Sequence, residues 1–390
     1  MSATVAAVRG QKAARLVLDP VVIGVTACLL LLGLVMVTSA SVTLAARDGD
    51  PFVFLERQLA FALVGAGVAA VLLRIPTATW EKLGFALLVF AMLLLLLVLV
   101  PGIGHEVNGS RRWLRIFGVN FQASEAARVF LLIYLCGYLV RREEEVRTTL
   151  LGFLKPIGVL AFAALLLLLE PDFGSAVVLL TTAVAVIFLA GVRWTHFVAL
   201  CVAGVAVLAV VAVSSSYRVK RLTAFMDPWA DPFNTGFQLT QSLIAIGRGE
   251  WTGVGLGASV QKLFYLPEAH TDFVFAVLAE ELGFVGIALV VVLVIALVVR
   301  SLQIARQAAE QGLKFQAYLA ASFGIWFGLQ AFINMGVNMG VLPTKGLTLP
   351  LLSYGRSSLL VTLGWIGLLL RVHHEVQTSR SALVRGVPRQ

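Results

Sequence analysis

The chain has 390 residues, of which 59% are hydrophobic and 13% charged, and its 30 Lys and Arg outweigh 21 Asp and Glu for a net charge of +9. Soluble domains carry about 25% charged residues, so the composition excludes a soluble enzyme and no nucleic-acid partner is expected. The chain reads as an integral membrane protein.

Its apolar runs are near the ~17 to 25 residues that a helix needs to cross a hydrocarbon core, and they lack the alternation of a β-barrel. The expected fold class is therefore an all-α integral membrane protein. Ten transmembrane spans are predicted near residues 21–41, 58–74, 83–101, 125–140, 156–170, 174–191, 195–213, 272–299, 316–341 and 347–371. The first run ends in small residues from Thr38 to Ser41 that imitate a cleavage signal, but it is long enough to span and is read as a retained helix. Cys28, Cys136 and Cys201 all lie in apolar runs without CxxC spacing, which argues for neither a disulfide framework nor a metal site. No internal repeat is visible, so the inverted repeats of many transporters are not expected.

Cations in the short connections set the orientation. Arg9, Lys12 and Arg15 precede the first span; Arg141, Arg142, Arg147 and Lys155 separate the fourth and fifth; Arg300, Arg306 and Lys314 follow the eighth; Arg371, Arg380, Arg385 and Arg389 end the chain. With ten spans all four clusters share one side, which the positive-inside rule makes cytoplasmic. Both termini are then cytoplasmic, as an N-terminal segment 1–20 and a tail 372–390. Residues 214–271 form a large extracytoplasmic loop between helices 7 and 8 of a single polytopic domain.

A second set of cations lies on the outer side, where topology gives no reason for them. Arg111, Arg112 and Arg115 fall in NGSRRWLR, Arg218, Lys220 and Arg221 in YRVKRL, and Arg248, Lys262, Lys345 and Arg356 follow. They either meet an anionic ligand such as a phosphate or pyrophosphate, or pair with Asp227, Asp231, Glu250 and Glu268. In the loop, FQLTQSLIAI has the spacing of an interfacial amphipathic helix. The glycines from Gly247 to Gly257 lack the strand and GK[ST] of a phosphate loop and suit tight turns.

YLPEAHTDF places Glu268, His270 and Asp272 just before the eighth span. Asp272 is either a helix cap or a partly desolvated general base. Glu280 and Glu281, deeper in the same run, either pair with a neighbouring helix, the favoured reading, or supply a buried carboxylate that supports the same site. In LLLEPDFGS, Asp172 either caps a helix or lines an outer cavity with Glu170. GVLPTKGLTLPLLSYGRSSLL, punctuated by Pro343, Gly346, Pro350 and Gly355, reads as a re-entrant or broken stretch.

These segments together resemble the SEDS family, the shape, elongation, division and sporulation proteins that polymerise peptidoglycan. The resemblance rests on NGSRRWLRIFGVNFQASEAARV, on EPDFGSAVV, on the run from FMDPWADPF to AEELGFVG, and on INMGVNMGVLPTKGLTLPLLSYG. The wording QKLFYLPEAHTDF with LPTKGLTLP is closer to the cell-division branch than to the elongation branch.

The resemblance implies a glycosyltransferase that acts on lipid II, an undecaprenyl-pyrophosphate-linked disaccharide pentapeptide, at the outer face of the inner membrane and at the septum. Asp272 corresponds to the family's essential acid and Lys345 to the Lys of its PTKG segment. Arg111, Arg112, Lys262, Glu268, His270 and Ser353 are expected to contact substrate. No organic cofactor is expected, and the pyrophosphate is neutralised with or without a divalent ion such as Mg2+ or Mn2+. The implied partners are the nascent glycan, a class B penicillin-binding protein transpeptidase of the FtsI type and other division-complex membrane proteins. Two positions depart from the family pattern: Arg356 replaces a Gly, and Arg128 a Lys. A lipid II flippase and a scaffold without catalysis are the alternatives.

Overall fold

The computed structural model describes residues 16–384 except 48, 108–109, 117, 215–218, 220–222 and 344–345. Its helices are α1 (Pro20–Arg47), α2 (Val53–Arg74), α3 (Thr77–Leu99), α4 (Ala123–Arg141), α5 (Glu143–Thr148), α6 (Leu150–Leu169), α7 (Phe173–Leu189), α8 (Trp194–Val213), α9 (Phe237–Gly249), α10 (Val274–Glu310), α11 (Lys314–Asn338) and α12 (Arg356–Val384). Eight of them, α1 to α4, α6 and α10 to α12, are long and apolar enough to cross a membrane, and Phe173–Leu189 and Trp194–Val207 are shorter apolar helices.

Polarity sorts the helices into inner and outer positions. α4 and α11 carry Glu125, Arg128, Gln330, Asn334 and Asn338, all buried. Ionisable and amide groups on an apolar helix must face protein rather than lipid, so these two helices form the centre. α2 packs along α12, α3 along α4, and α10 along α11.

At the end of the bundle away from Asp272, polar ties join separate helices. Asp19 accepts hydrogen bonds from the amides of Val21 and Val22, capping α1, and pairs with Arg300 of α10 at 2.7 Å. Glu375 of α12 accepts from the Thr77 amide at 2.9 Å, and so holds the start of α3.

The all-α expectation is corrected between α3 and α4. There the chain forms an antiparallel sheet of β1 (Gly104–Val107), β2 (Ser110–Ile116) and β3 (Val119–Gln122), in the order β1-β2-β3. The cause is an alternation within SRRWLRI that the surrounding apolar runs mask. Leu114 is buried against Val98 of α3 and Ala123 of α4, while the neighbouring Arg115 is exposed.

The FQLTQSLIAI segment is helical as α9, but it packs along α10 and buries Leu239, Thr240, Ser242, Ala245 and Gly249. It leads into a break in α10. At Gly283 the backbone has φ 63° and ψ −159°, so the amides of Phe284 and Val285 lose their helical partners.

They donate instead to the carbonyls of Glu250 (2.9 Å) and Trp251 (3.2 Å). The carbonyls of Glu280 and Glu281, freed in the same step, accept from the amides of Val254 (2.9 Å) and Gly255 (3.1 Å). The loop thus replaces the bonds that the break removes, about 14 Å along the helix from Val274. Irregular backbone within an apolar helix is tolerated only where its polar groups are satisfied in this way. Of the glycines in the 247–257 run, Gly253, Gly255 and Gly257 have positive φ and serve as turns, whereas Gly247 and Gly249 belong to the last turn of α9.

A Cβ at Gly283 would stand 2.4 Å from the Gly253 amide nitrogen. Gly283→Ala therefore combines a clash with a left-handed backbone, and is expected to lower stability by at least about 1–3 kcal/mol. The thermal unfolding midpoint in detergent checks this; an unchanged midpoint would show that the loop is not seated in the break.

Candidate functional site

Asp272 stands two residues before α10, where the loop, α11 and the stretch preceding α12 meet. The N-cap position of α10 is occupied by Phe273, which makes no side-chain capping bond. Capping falls instead to Asn338 of α11, whose Oδ1 accepts from the Ala276 amide at 3.2 Å. The same side chain donates through Nδ2 to the Asp272 carbonyl at 3.1 Å, and Asn334, one turn earlier, donates to that carbonyl at 2.9 Å. Asn334 Nδ2 also reaches the Leu347 carbonyl at 2.6 Å. Two amides at i and i+4 on one helix thus hold the end of the loop and the segment before α12 together.

That segment, residues 346–355, is largely without helix, so α12 begins at Arg356 and not near the predicted 347. Asp272 Oδ2 lies only 2.9 Å from where a Cβ of Gly346 would stand. A side chain there would displace the carboxylate, which gives Gly346 a steric role. Gln330 Nε2 donates to the Thr348 carbonyl at 3.1 Å and its Oε1 accepts from Arg128 at 3.0 Å. Arg128 is also ion-paired with Glu125 and lies 5.2 Å from the Trp326 ring. The buried polar groups of α4 and α11 are thereby linked to the backbone of the site.

The other expected residues are distributed unequally. His270 is joined to the same segment by a bond from the Tyr354 amide to its carbonyl (2.9 Å). Its ring packs edge-on to Phe54 at 4.9 Å and lies 5.6 Å from Tyr354. Burial pushes the imidazole pKa below its ordinary value, against the opposing effect of Glu268, so His270 is neutral at pH 7. The exposed Glu268 accepts from Thr271 Oγ1 at 2.7 Å.

Ser353, expected to touch substrate, accepts from the Leu349 amide at 2.8 Å and stabilises the turn instead. Arg356 begins α12 with its guanidinium 6.0 Å from the Phe61 ring.

Lys262 requires a correction as a phosphate ligand, because it is 6% exposed. Its Nζ donates to Glu281 at 2.8 Å, Ser39 at 3.0 Å and the Gly257 carbonyl at 2.7 Å. Glu280 likewise pairs with Arg248 at 2.9 Å and accepts from Ser259 and the Val260 amide. Pairing of Glu280 and Glu281 was expected, although their partners come mainly from the loop and α9. An ion pair in an apolar surrounding is the state in which a buried carboxylate and ammonium are tolerated, and here it ties the loop to α10.

Arg111 and Arg112 are adjacent on β2 where its register with β1 slips, Glu106 facing Arg111 and His105 facing Trp113. The plain alternation of a strand does not hold there, and their contacts are what distinguish them. Arg111 is half-exposed, 3.7 Å from Glu106. Arg112 donates to the carbonyls of Glu170 (3.3 Å) and Pro171 (2.9 Å). Asp172 caps α7, accepting from the Ser175 amide at 3.2 Å. Lys345, Arg218, Lys220 and Arg221 lie outside the described residues.

Among the described residues no three His, Cys, Asp or Glu side chains come together. Asn334 and Asn338 were not singled out from the sequence. The signal was present as two amides at i, i+4 in the apolar run INMGVNMG, a placement that demands an inward partner.

The chain matches the model of the FtsW, RodA and SpoVE family, described as cell cycle proteins, over residues 20–378. It is 54% identical over 365 residues to the probable peptidoglycan glycosyltransferase FtsW of Halorhodospira halophila, covering 93% of this chain and 92% of that one. It is 58% identical over 352 residues to the protein of the same name from Thioalkalivibrio sulfidiphilus, covering 90% and 88%. Among solved structures it is similar to a chain of a peptidoglycan synthase complex that coordinates polymerization and crosslinking, with a TM-score of 0.76, 31% identity and coverage of 93% and 99%. The rod shape determining protein RodA of Thermus thermophilus gives a TM-score of 0.69 at 29% identity, with coverage of 93% and 98%.

Lys262→Met should leave Glu281 buried without its cation and cost about 3–5 kcal/mol of stability. Lys262→Met combined with Glu281→Gln should recover most of that loss. Unfolding midpoints of the three proteins in detergent check this. A single variant as stable as wild type would restore Lys262 to the set of cations available to a ligand.

Proposed function

We propose, on the premise that the chain belongs to the FtsW, RodA and SpoVE family of cell-cycle proteins, that it polymerises lipid II into β-1,4-linked glycan during septal cell-wall synthesis. It is a peptidoglycan glycosyltransferase, as are its relatives by name at 54% and 58% identity over nine-tenths of the chain. The observation that carries the catalytic assignment is the support of Asp272. Two buried amides hold its backbone, the capping task is done by another residue, and its carboxylate abuts Gly346.

In the proposed reaction the 4-hydroxyl of the GlcNAc of one lipid II gives its proton to the Asp272 carboxylate. The hydroxyl oxygen attacks the anomeric carbon of the MurNAc at the reducing end of the growing chain. The bond from that carbon to the pyrophosphate breaks with inversion, and undecaprenyl pyrophosphate departs with the electron pair. Charge developing on the leaving group calls for fixed cations. Lys345 is assigned this task because it adjoins Gly346, with the half-exposed Arg111 of β2 as the second cation, while Arg112 is bonded to the carbonyls of the turn before α7. His270 is neutral and therefore offers hydrogen bonds to sugar or peptide, not a counter-charge.

The eight long helices together with α7 and α8 would make ten spans. With the cation distribution this puts both termini in the cytoplasm and Asp272 on the outer face. Because Glu125, Arg128 and Gln330 are bonded to one another and to the backbone, chemistry at one end of the bundle is favoured over a polar path through it. The likeness to a chain of a peptidoglycan synthase complex supports a class B penicillin-binding protein as partner.

Incubating the purified protein with its transpeptidase partner and lipid II, and separating the glycans on a gel, tests the assignment. Asp272→Asn should keep the unfolding midpoint and lipid II binding while losing about 10²–10⁴-fold in rate. Polymerisation by this variant at the wild-type rate would make Asp272 a structural residue and overturn the mechanism.

A further inference from the structure

The turn from α6 to α7 buries two carboxyl groups side by side. Glu170 and Asp172 are 0% and 2% exposed. Asp172 is fully engaged: Oδ1 accepts from the Ser175 amide at 3.2 Å, and Oδ2 from Gln122 Nε2 at 3.2 Å and Ser124 Oγ at 3.0 Å. Glu170 has no hydrogen-bond partner on either carboxyl oxygen.

The cation beside it, Arg112, spends its guanidinium on the Glu170 and Pro171 carbonyls and on Ser110 Oγ. Among the described residues no other charge in the elements packed around the turn faces it. The Glu125–Arg128 pair at the head of α4 is internally neutral, Arg111 is matched with Glu106, and the charged residues of α3 and α6 lie at their far ends.

Two adjacent buried carboxylates, one of them without a hydrogen-bond donor, cannot both stay ionised. Three donors stabilise the Asp172 anion, so the proton belongs to its neighbour.

We propose that Glu170 and Asp172 hold one proton between them, carried by Glu170 as a neutral carboxylic acid, and that this acid is a positioning residue for the catalytic loop. The path is physical. A Cβ at Gly174, two residues past Asp172, would stand 3.0 Å from the Leu347 side chain, so the start of α7 packs directly on the segment before α12. The Leu347 carbonyl is held by the same Asn334 that holds Asp272. On the other side, Gln122 bonds Asp172 through its side chain and accepts no slack at its amide, which donates to Ser357 Oγ at 2.9 Å in α12. Ionising Glu170 would draw water into the turn and loosen both connections.

The titration has a definite sign. Burial and the Asp172 charge push the Glu170 pKa from 4.5 up to about 9, with Arg112 opposing. Between these values the folded protein holds a proton that the unfolded chain has released. The contribution of this group to stability therefore declines as pH rises from 4.5 to about 9 and is constant above that range.

The proposal rests on the glycosyltransferase reading only for its activity readout, so the test includes measurements that need no activity. Wild type, Glu170→Gln and Glu170→Ala are compared in the partnered protein. Glu170→Gln, which imitates the neutral acid, should polymerise lipid II at pH 7 within about threefold of wild type. It should also lack the wild-type loss of rate above about pH 9. Its unfolding midpoint should gain on that of wild type as pH rises from 5 to 9, and the infrared band of a protonated carboxylic acid present in wild type at pH 7 should be missing from it. Glu170→Ala should lose rate at every pH.

A shared alkaline limb in wild type and Glu170→Gln, or an unchanged carboxylic-acid band, would overturn the proposal. If Glu170→Ala does not fold, the comparison of wild type with Glu170→Gln decides the matter alone. Absence of polymer from wild type itself would count against the function and leave the infrared and unfolding results to judge the proton.

Discussion

The structure depends on an exchange of backbone hydrogen bonds at Gly283. A helix crossing apolar surroundings cannot leave amides or carbonyls unbonded, and α10 breaks where Phe284 and Val285 would have bonded to Glu280 and Glu281. The loop after α9 fills all four vacancies. Two ion pairs, Lys262 with Glu281 and Arg248 with Glu280, hold the loop in the break. The residues from 263 onward then return towards the end of the bundle from a fixed base, which limits where Asp272 can stand.

A second constraint comes from α11. Asn334 and Asn338 carry the backbone of Asp272, cap α10 and hold Leu347. Gly346 lets the Asp272 carboxylate approach the main chain of the opposing segment. Below them the Glu125–Arg128–Gln330 chain satisfies charges that would otherwise be stranded among apolar helices. Precision at the candidate site comes from rigid helices and buried amides that fix the end of the loop.

Much of the site was legible as residue types. YLPEAHTDF announced itself because three titratable groups before an apolar run are costly, and the broken stretch before α12 was visible in its prolines and glycines. The cations were harder to assign. A Lys in a polar loop looks accessible in one dimension, but Lys262 is drawn 3% exposed at its side chain against Glu281. Arg111 and Arg112 look like a clamp in the sequence, but the first lies beside Glu106 and the second is bonded to the Glu170 and Pro171 carbonyls. The sheet itself was masked because its alternating run is short and lies between apolar segments with a much stronger signal.

By itself the sequence determined the membrane environment, the presence of many long apolar segments and the acidic residue at the loop's end. These follow from local composition and from the fixed thickness of a bilayer, which need no knowledge of neighbours. Only the tertiary structure decided which charges are spent on each other, where α10 breaks, and which side chains carry the backbone of Asp272. Those outcomes depend on contacts between residues far apart in the chain, such as Ser39 with Glu281 and Gln58 with Ser353. In an apolar interior a polar group takes whichever partner the packing brings within reach, and spacing along the chain does not reveal that partner.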